Sequence, residues 1–133
     1  MRKFLIIFIC LCSFSFLEVK AQSYIVISLN DNTVLEEENA HEVESVASIS
    51  KVMTALVALE NGNFSDVWEV GDEIYNEGGI NIYLTVGQKV NMKDLMYGMM
   101  LRSGCDAANA IAYRVGGDIE TFVAMMNEKA QEL

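Results

Sequence analysis

The chain has 133 residues, a formal net charge of −10 and 52% hydrophobic residues, which is enough for one small domain with a buried core. An acidic chain of this kind binds nucleic acid poorly, because phosphate contacts require clustered Lys and Arg side chains. We therefore expect no nucleic-acid partner.

The first 21 residues have the pattern of a secretory signal peptide. Arg2 and Lys3 form a positively charged start, and residues 4–17 form an apolar stretch that is short for a membrane span. Ala21 ends a Val-Lys-Ala sequence whose small residues lie at the offsets of a cleavage site. We expect cleavage after Ala21 and export of the chain; the alternative is an uncleaved N-terminal anchor.

The remaining residues, 22–133, are expected to form the folded part of the chain. Losing residues 1–21 removes three of nine basic and one of 19 acidic residues, so the net charge becomes about −12. Cys10 and Cys12 leave with the signal peptide, and Cys105 then has no partner for an internal disulfide. Because the chain has one histidine, the usual zinc sites are excluded, and we expect no metal or cofactor.

A β-hairpin is predicted at the start of the folded part. Residues 23–29 have the composition of a strand, residues 30–32 (Asn-Asp-Asn) form a turn signal, and residues 33–35 begin the return strand. The polar residues 36–47 are expected to form a loop whose acidic run faces solvent.

The middle of the chain is predicted to contain one helix followed by irregular structure. Apolar residues cover so much of residues 49–59 that we expect a buried helix there, ending at the Asn-Gly-Asn sequence of residues 61–63. Residues 64–90 mix apolar and polar residues with several glycines, which predicts short extended pieces.

Three capped helices are predicted in the last third of the chain. Asn91 caps a helix that reaches Leu101, and residues 103–105 interrupt the helical pattern. Asp106 and Asp118 are expected to cap the two helices that follow. The pattern of one hairpin and four helices predicts an α/β (α+β) fold, with helices packed on an antiparallel sheet.

A serine and a lysine are spaced by three residues at the start of the first predicted helix. Ser48 and Lys51 would share one helical face, near the end where backbone N–H groups are free. There the amine can take the hydroxyl proton, and the helix N-terminus favours developing negative charge. The pair alone is a weak motif, because a capping serine and a surface lysine produce the same pattern.

Three stretches together resemble the penicillin-binding serine D-alanyl-D-alanine carboxypeptidases, the low-molecular-weight penicillin-binding proteins of the S11 peptidase family. They are residues 24–55, which include Ser48-Ile49-Ser50-Lys51; residues 86–101; and residues 103–112, which begin with Ser103-Gly104-Cys105. They span nearly all of the folded part. The resemblance implies a β-lactamase/transpeptidase-like fold.

The resemblance also implies roles for individual residues. Ser48 would attack the penultimate D-alanine carbonyl of a peptidoglycan stem peptide, and Lys51 would be the general base. Ser103 would relay a proton to the leaving amine, while Gly104 and Cys105 would contact the substrate. β-Lactams would acylate the same serine, and no cofactor is implied.

Two departures from the family pattern stand out. The family's second motif normally ends in Asn, whereas this chain has Cys105, a weak donor and acceptor. The family's third motif, Lys-Thr-Gly or Lys-Ser-Gly, is absent after Ser103, and the last predicted helix reaches Leu133 without a stop signal. We therefore expect the first part of a longer catalytic domain, inactive by itself. Family members often continue to a membrane anchor, which would add a membrane surface as a partner.

Other interpretations of the sequence remain open. A β-lactamase relative would be expected to carry Ser-Asp-Asn as its second motif, and residues 103–105 argue against it. A truncated or degenerate exported protein that binds cell-wall peptide without catalysis fits the two departures. Cys105 itself is either an inert cysteine or a second nucleophile.

Overall fold

The computed structural model describes residues 23–75 and 78–133. The chain divides into two compact units between Glu44 and Ser45. The predicted signal peptide, residues 1–21, lies outside the described residues. Within the two described ranges, no helix is long and apolar enough to cross a membrane.

The first unit contains the predicted hairpin. Strand β1 (Tyr24–Ile27) pairs antiparallel with β2 (Val34–Glu38), with a register irregularity after Val26. The expectation that the acidic run begins a loop is wrong, because residues 36–38 pair with residues 24–26 and satisfy their backbone groups in the ladder. The Tyr24 hydroxyl donates to Glu36 Oε1 at 3.0 Å, and this hydrogen bond raises the pKa of Tyr24.

Among its described residues, the second unit contains four α-helices and a small second sheet. A 3₁₀ turn (Ala47–Ile49) leads into α1 (Ser50–Asn61), and the later helices are α2 (Met92–Arg102), α3 (Cys105–Gly116) and α4 (Ile119–Glu132). Strand β3 (Val67–Glu69) pairs antiparallel with β4 (Lys89–Asn91). The sequence predicted short extended pieces in this region but not their pairing.

Helix α3 lies at the centre of the second unit and contacts α1, α2 and α4. Its small buried residues, Ala107 and Ala110, let the neighbouring helices approach closely. Two clusters form the core: Ala55, Ala58, Val70, Ile74, Val90, Met92, Leu95, Met99, Ala107, Ala110 and Ile111 in the first, and Val57, Ala112 and Phe122 in the second.

The prediction of a fully buried α1 is wrong, because this helix buries one face only. Thr54, Ala55, Val57 and Ala58 are buried. Val52 and Leu59 are 58% and 59% exposed on the opposite face. The composition of this segment predicts an apolar helix, whereas packing against the neighbouring helices determines which face is buried.

Two of the three predicted helix caps are confirmed. Asn91 Oδ1 accepts a hydrogen bond from the Asp94 backbone N–H at 2.9 Å, and Asp118 Oδ1 accepts one from the Thr121 N–H at 2.6 Å. The bond from Thr121 lowers the pKa of Asp118. The third prediction is wrong, since α3 begins at Cys105 and Asp106 lies buried within its first turn.

Candidate active site

Two serine hydroxyls meet where helices begin and end. Ser48 lies in the 3₁₀ turn before α1, and Ser103 is the C-cap residue directly after α2. Ser103 Oγ donates a hydrogen bond to Ser48 Oγ at 2.7 Å, across 55 residues of sequence. Ser48 is exposed and Ser103 is half-buried, so solvent reaches the pair.

The backbone is in the left-handed region beside each hydroxyl. Ser103 has φ +58° and ψ +31°, and its N–H donates to the Gly98 carbonyl, which closes the C-terminus of α2. Ala47, directly before Ser48, has φ +46°. Left-handed residues with a Cβ cost about 1–2 kcal/mol each, so the turns that present both serines are strained.

Lys51 and Cys105 bring an amine and a thiol together next to this pair. Lys51 is in the first turn of α1, and its Nζ lies 3.5 Å from Cys105 Sγ across 54 residues of sequence. Both side chains are half-buried. The lysine therefore contacts the position at which the second motif of the resembled family ends.

Gly104 packs the turn between α2 and α3. It is buried, its N–H donates to the Gly98 carbonyl at 3.3 Å, and its own carbonyl accepts from the Ala108 N–H at 3.1 Å. A Cβ at this position would lie 2.9 Å from Ile82 Cγ2. The structure gives Gly104 a packing role, and its contact with substrate stays a prediction.

Asp106 is a feature of the site that sequence reasoning missed. Only 3% of the residue is exposed, and its carboxylate accepts hydrogen bonds from the backbone N–H groups of Ile82 (3.0 Å), Leu84 (2.9 Å) and Ala107 (2.9 Å). The available signal was an acidic residue directly before the small apolar run Ala107-Ala108. A residue of this kind at a helix start was interpreted as a cap.

The arrangement provides the groups of a serine nucleophile site. A hydroxyl can donate or accept, so the contact between Ser48 and Ser103 can carry a proton in either direction. A lysine amine one helical turn from a serine is a known alternative to the histidine of other serine enzymes. An α+β fold that places Ser48, Lys51 and Ser103 in one region has the features of the class of serine acyl-transfer proteins.

The chain belongs to the D-alanyl-D-alanine carboxypeptidase family (Peptidase S11), whose family model matches residues 12–133. It is 35% identical over 119 residues to the D-alanyl-D-alanine carboxypeptidase DacF of Bacillus subtilis, covering 86% of this chain and 31% of that protein. It is 33% identical over 128 residues to DacA of Escherichia coli K12, covering 87% of this chain and 32% of that protein. The chain thus spans about a third of the length of these curated relatives.

Solved structures confirm the predicted fold class. A D-alanyl-D-alanine carboxypeptidase from Mycobacterium tuberculosis H37Rv matches with a TM-score of 0.77 and 30% identity, over 84% of this chain and 42% of that one. Penicillin-binding protein 5 from Haemophilus influenzae matches with a TM-score of 0.75 and 28% identity, over 84% and 35%.

Proposed function

We propose that this chain carries part of the active site of a serine D-alanyl-D-alanine carboxypeptidase that acts on peptidoglycan stem peptides. The observation that supports this most is the 2.7 Å contact between Ser103 Oγ and Ser48 Oγ, with Lys51 one helical turn further along. Family membership supports the same reaction.

In the proposed first step, Ser48 Oγ attacks the carbonyl carbon of the penultimate D-alanine. The Lys51 amine takes the hydroxyl proton, and the backbone N–H of Ser48 donates to the developing oxyanion. The C–N bond then breaks, and the proton returns through Ser103 to the leaving D-alanine. Proton transfer by positioned groups of this kind contributes about 10²–10⁴-fold in rate.

In the second step, water attacks the ester on Ser48. The shortened peptide leaves with a free carboxylate, and the serine hydroxyl is restored. A β-lactam follows the first step only in part: its ring C–N bond opens, but the amine stays attached to the acyl group. Ser48 therefore remains esterified, which provides a direct assay.

Cys105 modifies this proposal. In the family's usual motif, an Asn amide at this position can accept a hydrogen bond from the lysine and donate one to the substrate. The thiol provides a weaker acceptor at 3.5 Å from Lys51 Nζ. We therefore expect a slower acylation than in a Cys105→Asn variant.

The test is covalent labelling of the gene's complete translation product with a fluorescent penicillin. Ser48→Ala is expected to abolish labelling, and Lys51→Ala and Ser103→Ala to slow it at least about 100-fold. Ser50→Ala is the matched control, because this nearby hydroxyl is exposed and donates to the Ala47 carbonyl at 2.8 Å. It should keep at least half of the labelling rate.

Three results would contradict the proposal. A folded product that is never labelled would favour the non-catalytic alternative. Labelling that persists in Ser48→Ala would exclude the assigned nucleophile. Rapid release of hydrolysed penicillin would favour a β-lactamase relative.

We also propose that residues 1–21 direct export, so that the reaction takes place outside the cytoplasm. The support is the charged start, the apolar stretch and the small residues before Gln22. The N-terminal sequence of the exported protein should begin at Gln22. An exported product that still begins at Met1 would show the uncleaved anchor.

A further inference from the structure

A short segment with three exposed and three half-buried residues, 79–84, is attached to the first turn of α3. Asp106 makes three hydrogen bonds of this attachment, beside the packing of Ile82 and Leu84 on the core. Its carboxylate accepts hydrogen bonds from the backbone N–H groups of Ile82 and Leu84 at 3.0 and 2.9 Å, and its own N–H donates to Asn81 Oδ1 at 3.2 Å. The segment is thus bonded through three of its residues, 81, 82 and 84, to one buried residue.

The Asp106 carboxylate is unusual because it is almost fully buried without a cation. No salt bridge among the described residues includes it, and the hydrogen bonds that it accepts come from the backbone N–H groups of Ile82, Leu84 and Ala107. Burying a carboxylate is costly unless hydrogen bonds replace its hydration. The hydrogen bonds from Ile82 and Leu84 also hold the 79–84 segment in place.

The fixed segment in turn touches the thiol of the candidate site. The Cys105 N–H donates to the Ile80 carbonyl at 2.7 Å. Gly79 has φ +89° and comes so close that a Cβ there would lie 2.7 Å from Cys105 Sγ. Cys105 Sγ therefore has Gly79 as one neighbour and Lys51 Nζ, at 3.5 Å, as another.

We propose that Asp106 is a positioning residue of this site. By fixing the N–H groups of Ile82 and Leu84, it holds the 79–84 segment against Cys105 and so sets where the thiol meets the Lys51 amine. Its expected effect on acylation rests on the proposed function, whereas its effect on the position of Cys105 does not.

The first measurement is the rate at which iodoacetamide alkylates Cys105, determined by mass spectrometry of the peptide that carries it. In Asp106→Asn, the amide keeps one acceptor oxygen, and its N–H₂ faces either the Ile82 or the Leu84 N–H, so one of the two bonds to the segment is lost. The segment should loosen, and the alkylation rate should rise at least about tenfold. Hydrogen exchange at the amide that loses its acceptor, Ile82 or Leu84, should accelerate. Asp94→Asn is the matched control, because it removes the same charge from the first turn of α2 at an exposed position.

The control should alkylate within about twofold of the wild type. A folded Asp106→Asn protein whose Cys105 also reacts within about twofold of the wild-type rate would overturn the proposal. If that variant does not fold, Gly79→Ala decides, since its position is exposed and its methyl must displace the Cys105 thiol or the segment. An unchanged alkylation rate in Gly79→Ala would also overturn it.

Penicillin labelling of the complete translation product gives the second measurement. Asp106→Asn should lower the acylation rate constant at least about tenfold while changing noncovalent penicillin binding less than about threefold. A general loss of structure would lower both. An unchanged acylation rate constant would refute the role of Asp106. If the wild type is never labelled, the proposed function fails, but the Cys105 alkylation rates still test whether Asp106 positions Cys105.

Discussion

Ser103 combines a strained backbone with a hydroxyl in the candidate site, and two substitutions separate these properties. Ser103→Ala removes the hydroxyl but keeps a Cβ at φ +58°. Ser103→Gly removes the hydroxyl and also permits the left-handed conformation without steric cost. Both variants lose the 2.7 Å hydrogen bond to Ser48, so both should slow penicillin acylation about 100-fold or more.

The two variants should differ in stability. A left-handed residue with a Cβ costs about 1–2 kcal/mol, and glycine removes this cost. Glycine also has more conformational freedom in the unfolded chain, which lowers the stability of the glycine variant by about 0.4–1 kcal/mol. Ser103→Gly should therefore be more stable than Ser103→Ala by about 0.8 kcal/mol, the difference between the centres of these two ranges. For a unit of this size, that corresponds to a difference in Tm of roughly 3–6 °C.

Ser50 provides the matched comparison, because its backbone is helical, with φ −54° and ψ −26°. At this first residue of α1 glycine should be less stable than alanine, by up to about 1 kcal/mol, the value for helix interiors. Glycine should thus give the more stable variant at position 103, and alanine the more stable variant at position 50. Thermal unfolding followed by circular dichroism measures all four variants. If glycine is the less stable residue at both positions, the left-handed strain at Ser103 is refuted.

Two further predictions concern the C-terminal helices. Gly116→Ala should destabilise the protein by about 1–2 kcal/mol in chemical denaturation, because the new Cβ would lie 2.8 Å from both Cβ and the backbone N of Phe122. The control is Gly78→Ala, whose new Cβ has nothing within 4 Å and should change stability by less than about 0.5 kcal/mol. Equal changes in stability in the two variants would contradict the steric argument. Asp118→Ala should lower the Tm at neutral pH, because it removes the 2.6 Å cap of the Thr121 N–H. The pKa of Asp118 is lowered in the folded state, so the cap stabilises the protein above the ordinary pKa of 3.8, and its contribution is lost as the pH falls through the lowered value. A Tm difference between wild type and variant that does not shrink as the pH is lowered below 3.8 would contradict this assignment.

Local features could be predicted from the sequence because their partners lie within a few residues. The caps by Asn91 and Asp118 each use an N–H three residues further along the chain. The first hairpin follows from a turn between two β-prone runs, and the spacing of Ser48 and Lys51 follows from helical geometry. These predictions needed no knowledge of how the helices pack.

Features that depend on distant partners could not be predicted in this way. Strands β3 and β4 contain three residues each, too few to show an alternating pattern, and they lie about 20 residues apart. Helix α1 has apolar residues on every side, so only its packing determines which of them are covered.

The candidate site shows the same division. The amino-acid sequence by itself determined the serine and lysine at the start of α1, and the family resemblance added Ser103. Only the tertiary structure placed Ser103 Oγ within hydrogen-bond distance of Ser48 Oγ, across 55 residues of sequence. It likewise placed Cys105 Sγ near Lys51 Nζ, across 54 residues. It also buried Asp106 under the 79–84 segment, more than 20 residues away. These contacts exist because α3 packs between its neighbouring helices, and no spacing along the chain encodes that packing.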